Sequence, residues 1–196
     1  MAVVDAEQLA EEYEAEKPGR RLDGLPALIV NVACAGLSVY AIYWVLNPVP
    51  AQRYRTTFLA VALALTFLTS RGWGRRKEGE EREQPGITDW LLAAASVIAL
   101  GYTLVNFDEF VRRAAQPDDL DILFGVTTIA LVLEATRRTV GWILPAVVIG
   151  FLLYAFYGGE LPPTWQISHP GYGVPRIVGQ TYMGLQGIFG VPLDVA

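Results

Sequence analysis

The feature that most constrains this chain is an uncharged run, LPALIVNVACAGLSVYAIYWVL, from Leu25 to Leu46. At about 1.5 Å of rise per residue it reaches about 33 Å as a helix, enough to cross a hydrocarbon core of about 30 Å. Four further apolar blocks follow at 54–70, 88–106, 120–136 and 139–157, and the charges gather in the gaps between them. A backbone in lipid must satisfy its own hydrogen bonds, and none of these blocks alternates strictly as a barrel strand would. The expected fold is an all-α membrane protein of about five transmembrane helices, followed by a short C-terminal amphipathic helix.

Three regions follow from this pattern: an acidic tail at 1–24, a membrane domain at 25–157, and an external segment at 158–196. In the tail, DAEQLAEEYEAEK reads as solvated chain, with a helix striped by Ala6, Leu9, Ala10 and Tyr13 as the alternative. The first apolar block is too long for a signal core and is expected to stay in the membrane. Net charge is −5, which leaves no basic surface for nucleic acid. Lys and Arg set the orientation. With the N-terminus inside, ten of the fifteen fall in inner segments and five in outer ones. The expected location is therefore the cell (inner, cytoplasmic) membrane, multi-pass, with a cytoplasmic N-terminus.

Local signals refine the spans. Tyr40, Tyr43 and Trp44 cluster at the far end of the first, where amphipathic rings prefer the lipid interface. Trp90 and Trp142 are the corresponding anchors near the starts of the third and fifth. Thr88 and Asp89 are cap candidates for the third span, and PDDLD opens the fourth. Pro145 is expected to bend the fifth. Only EATRRT separates the fourth and fifth blocks, so they should form a hairpin with a very tight turn.

Few residues point to chemistry. No catalytic, substrate-binding or metal-binding residue is assigned, and no cofactor is expected. The chain has no phosphate-binding glycine loop and no His, Cys or carboxylate cluster at ligand spacing. Cys34 reads as a small packing residue, and His169, the single histidine, as a surface residue of WQISHPGYG. Asn31 and Asn106 are candidates for helix-to-helix hydrogen bonds. Glu134 and Arg138 are four apart, in the favourable order for an ion pair, and Arg137 adds a second cation. This group reads as a structural pin for the cytoplasmic turn, against the alternative of an ion relay.

The tail of the chain carries a different signal. From Arg176 to Phe189, Val178, Tyr182, Leu185 and Phe189 fall at offsets of 4, 3 and 4, one helical stripe. A helix of about 14 residues would reach roughly 21 Å and would not span alone. It reads as interfacial or partly inserted. Gly184 and Gly187 would weaken it unless another helix packs closely there.

LEATRRTVGWILPAVVIGFLLYAFYG, followed by HPGYGVPRIVGQTYMGLQGIFGVPLDVA, resembles the N-terminal part of the fused permeases of TRAP (tripartite ATP-independent periplasmic) transporters, in the branch paired with TAXI-type binding proteins. YRTTFLAVALALTFL is similar to their second span. The resemblance covers most of the chain from about Pro50 onward. It implies the small scaffold component of a secondary transporter driven by an ion gradient. In that family a periplasmic or extracellular binding protein delivers organic acids, and the large permease portion holds the substrate and sodium sites. The implied partners are that large portion or subunit, a TAXI-type binding protein and the lipid bilayer. In fused relatives a pattern like GIFGVPL leads into the large portion. The expectation here is a separate subunit or a truncated product, the alternative being a standalone multi-pass protein such as a sensor or assembly factor.

Overall fold

The computed structural model describes residues 20, 22–47, 50–72, 84–113, 116–162, 164–184, 187–190 and 193. Most of the acidic tail, and the charged gap at 73–83, lie outside the described residues. Every element among the described residues is helical. The helices are α1 (Gly24–Leu46), α2 (Ala51–Thr69), α3 (Ile87–Val105), the short α4 (Phe107–Arg112), α5 (Asp119–Thr139), α6 (Ile143–Tyr157) and α7 (Val174–Val178). A 3-10 turn (Gly158–Glu160) extends α6, and a π-helical turn (Gly179–Met183) extends α7.

The long helices run up and down. The Arg20 N–H donates to the Thr69 carbonyl at 2.8 Å, which sets the start of α1 beside the end of α2. Arg20 also reaches Asp89 at the start of α3, and Asp89 reaches Arg138 near the end of α5. Those four termini form one end of the bundle. At the other end, Tyr102 near the end of α3 meets Asp121 at the start of α5.

Local chemistry explains the boundaries. Asp89 accepts the Gly86 N–H at 3.0 Å and Asp121 accepts the Asp118 N–H at 3.1 Å, so α3 and α5 start with the same device. Each carboxylate satisfies a backbone donor that a helix start leaves free. Along α2, the hydroxyls of Thr56, Thr57, Thr66 and Thr69 each donate to the carbonyl four residues back, at 2.8 to 3.0 Å. This settles their hydrogen bonding without water.

Several boundaries differ from the sequence expectation. EATRRT is not a connection, because α5 runs through it to Thr139. The turn is Val140–Gly141–Trp142, with Gly141 at φ +103°, a conformation that L side chains rarely adopt. Pro145 falls in the first turn of α6 and not inside the helix, where a bend was expected. It is the third residue of that helix, where the missing N–H removes no intrahelical bond. The segment after Val105 is not plain loop: α4 turns back and buries Phe107 and Phe110.

The largest helix contact is between α2 and α3, and α5 packs against both. Leu63, Phe67, Leu100, Phe110 and Leu131 form the core there, joined by Val178, Tyr182, Met183 and Phe189 from the C-terminal segment. That segment is therefore not an interfacial helix of 14 residues. The helical turns that its described residues define run from Val174 to Met183, and they are wedged against α5. Gly125 of α5 makes the approach possible: a Cβ there would stand 2.4 Å from the Val178 side chain and 2.9 Å from Tyr182.

Among the described residues, three helices are long and apolar enough to cross a membrane: Gly24–Leu46, Ile87–Val105 and Ile143–Glu160. α2 and α5 match them in length, with 19 and 21 residues, but carry charged groups such as Arg53, Arg55, Asp121 and Glu134. The outer helices have the barest flanks. α1 buries no residue and α6 buries only Pro145. Cys34 is consequently exposed on α1 rather than packed. Asn31 is exposed on the same helix, and the Asn106 amide donates to Tyr102 of its own turn at 3.2 Å instead of crossing to a neighbour.

Gly125→Val should push the C-terminal segment off α5. Expected is a loss of about 1–3 kcal/mol, the usual range for overpacking, read as a lowered unfolding midpoint in detergent. Faster proteolysis between residues 184 and 190 should accompany it.

Candidate functional site

The most concentrated chemistry sits at the end of the bundle where α1 and α3 begin. Asp89 is the hub. Its Oδ1 accepts from Arg138 Nη1 at 2.7 Å and its Oδ2 from Arg20 Nη1 at 2.6 Å. Glu134 completes the group, accepting from Arg138 Nε at 2.8 Å and from Arg137 Nε and Nη2 at 2.7 and 2.6 Å. The side chains of Arg20, Asp89 and Arg138 are 6%, 3% and 4% exposed. Arg138 also lies over the Phe67 ring, 5.2 Å from its centroid, with Gly72 packed on its guanidinium.

Sequence spacing identified only part of this. The Glu134–Arg138 pair and the Arg137 contact are present as expected from the helix repeat. The links to Asp89 and Arg20 were invisible, because they join residues 49 and 69 positions apart. Asp89 serves as a cap and also as the anchor for two guanidiniums. Planar two-pronged donors suit this role, since one arginine can grip two carboxylates in fixed geometry. The arrangement works as an electrostatic clamp that ties the start of α1, the start of α3 and the end of α5 to one point.

A second cluster stands at the opposite end. Asp121, fully buried, accepts from the Tyr102 hydroxyl at 3.0 Å and from Arg113 Nε at 3.1 Å. Arg113 reaches Asp118 at 3.0 Å and Glu109 at 3.4 Å. Tyr102 stacks on Phe124 with ring centroids 4.5 Å apart. PDDLD thus does more than open a span: two of its aspartates hold the loop arginine that precedes them.

Between the clusters lies Tyr182. Its hydroxyl shares a 2.5 Å hydrogen bond with Thr103 and donates to the Ala99 carbonyl at 3.3 Å. Its ring meets Phe110 edge-on and tilts against Phe189. Val178, Tyr182 and Phe189 are all buried, but Phe189 lies beyond the helical turns, so they line the bundle interior without forming the expected single helical stripe. Leu185 lies outside the described residues. The π turn frees backbone carbonyls, and α2 supplies donors for two nearby: Gln52 to Met183 at 3.2 Å and Arg55 to Phe189 at 2.9 Å.

Gly184 and Gly187 do not receive a neighbouring helix. A Cβ at Gly184 would meet the Gln180 carbonyl at 2.8 Å, and one at Gly187 the Thr181 carbonyl at 2.2 Å. The chain folds back on its own backbone there, closed by Ile188 N–H to Thr181 O at 2.7 Å. These glycines permit a tight turn.

The tryptophans occupy distinct settings. Trp44 stacks on Tyr54 at 4.4 Å and so bridges α1 to α2. Trp90 is partly exposed on α3. Trp142 precedes α6, with Arg137 5.4 Å above its ring. His169 is not merely a surface residue. Nδ1 accepts the Gly171 N–H at 3.1 Å, which leaves Nε2 as the donor to the Tyr154 carbonyl at 3.1 Å. The ring lies between Tyr154 and Tyr172 and latches the segment that follows α6 onto the end of that helix.

Among the described residues no group of three or more His, Cys, Asp or Glu is placed to hold a metal ion. Compared with known proteins, the chain matches no family model, no curated protein and no solved structure.

Asp89→Ala should leave Arg20 and Arg138 buried without their shared anion. Expected is a loss of about 3–5 kcal/mol, the cost of breaking a buried pair from one side, measured by unfolding in detergent. Glu134→Gln, at a more exposed position, should lose less. Tyr182→Phe should lose about 1 kcal/mol, the scale of a hydrogen bond between helices in a membrane. An Asp89→Ala protein as stable as the parent would remove the clamp from the account.

Proposed function

We propose that this chain is the small scaffold component of a TRAP-type secondary transporter. It works beside a large permease portion, in the same chain or as a separate subunit, and a TAXI-type binding protein delivers an organic acid. In this reading α1, α2, α3, α5 and α6 all cross the cell membrane, with the N-terminus in the cytoplasm. α2 and α5 join the apolar three because their charged groups lie near the helix ends and have partners within the protein.

The observation that carries the proposal is how the charges are used. Asp89 and Asp121 each hold partners from other helices or loops, and Glu134 braces Arg138 from within α5. A part so cross-braced at both ends suits a static frame against which a moving portion works. The apolar flanks of α1 and α6 support it, since they need lipid or a hydrophobic partner for cover. The resemblance of EATRR–VGW and QGIFGVPL supplies the family.

Two measurements test this. Reconstituted alone in proteoliposomes, the chain should take up no organic acid under a sodium gradient, and tagged protein from its native membrane should bring down a larger permease. Uptake by this chain alone would overturn the assignment. For orientation, in a Cys34→Ala background, Arg112→Cys should react with an impermeant maleimide added outside sealed cells. Thr139→Cys should react only after lysis. The reverse pattern would invert the topology.

A further inference from the structure

Beside the C-terminal segment, α6 leaves a cleft of about 440 Å³ that neither charge cluster touches. Leu152 and Ala155 of α6 and Ile177 form its apolar side, and Arg176 and Gln180 its polar side. Arg176 and Gln180 are four positions apart on a helical segment, so both side chains face the same way. The Arg176 guanidinium lies flat over the Tyr172 ring, 4.6 Å from its centroid. Stacking orients the fork and leaves its N–H edge available. Among the described residues no carboxylate pairs with Arg176, whereas Arg20, Arg53, Arg113, Arg137 and Arg138 each have one.

The surroundings indicate what enters. Tyr154, Tyr157 and Trp165 are exposed at the same end of α6, as rings at a lipid interface are. Phe151, Leu153 and Phe156 of α6 are exposed as well. A volume of this size falls within the range of small-molecule sites. A cation and an amide at the mouth, with hydrocarbon-facing surface behind them, match an anionic head joined to an apolar chain.

We propose that this cleft binds a glycerophosphate group, with the phosphate on Arg176 and Gln180 and the attached acyl chains along Leu152 and Ala155. The inference rests on the membrane location but not on the transporter assignment. The same phosphate chemistry has two sources, a phospholipid of the surrounding leaflet or free glycerol 3-phosphate, and the apolar wall favours the lipid.

Native mass spectrometry of the full chain in neutral detergent, titrated with phosphatidylglycerol, tests it. Expected is one retained lipid whose affinity falls about tenfold in Arg176→Gln, as loss of a charge-assisted bond predicts. Arg112→Gln, the same charge change at another exposed arginine, should bind like the parent. Gln180→Leu should weaken binding by a smaller factor. A parallel titration with glycerol 3-phosphate distinguishes the sources. Weak binding assigns the site to lipid, and tight Arg176-dependent binding assigns it to the soluble compound. Unchanged affinity in Arg176→Gln, or an equal loss in Arg112→Gln, would overturn the proposal. Uptake assays do not enter this test, so its outcome is independent of the transporter reading.

Discussion

The two oxygens of Asp89 hold this structure in register. Each accepts a guanidinium from a different part of the chain, Arg20 from before α1 and Arg138 from the end of α5. Removing charges from water is expensive, and the expense is offset only when geometry and partners are both good. Here the partners come in fixed pairs, and Glu134 extends the pairing to Arg137. The bundle can slide or rotate little about that point without stranding a charge. Asp121 imposes the same constraint at the other end.

Between those fixed ends, packing is tight where backbones approach and open where they do not. α2, α3 and α5 share the core, and small or hydroxyl-bearing residues such as Thr56, Ser96, Thr103 and Thr128 are buried among them. The C-terminal segment then fills the remaining space with Val178, Tyr182 and Phe189. α1 and α6 are attached to this unit from outside and keep their apolar side chains turned outward. A rigid braced centre with bare apolar flanks is the physical basis for reading the chain as a frame.

Much of the fold was legible in the sequence, because length and absence of charge are local properties. Each expected apolar block lies within or beside a helix, and the Glu134–Arg138 spacing gave a true contact. What local pattern could not supply was the tertiary half. Asp89 looked like a cap and is a cap, yet its larger role depends on residues 20 and 138. In the tail the spacing picked out residues that are buried, but periodicity showed neither where the helix ends nor whether a face meets lipid or protein. Gly125, which decides that question, lies in a different helix and carries no signal of its own. Pro145 misled because its effect depends on its distance from the helix start, which was placed a few residues too early.

The hub at Asp89 also bears on how the protein is made. Synthesis runs from the N-terminus, so α1, α2 and α3 exist before Arg138 does. During that interval the carboxylate has only the Arg20 side of its final partnership. The first three helices must therefore wait in a provisional arrangement, and the last turn of α5 locks them. Assembly of this bundle is completed from its far end, by a residue more than two thirds of the way along the chain.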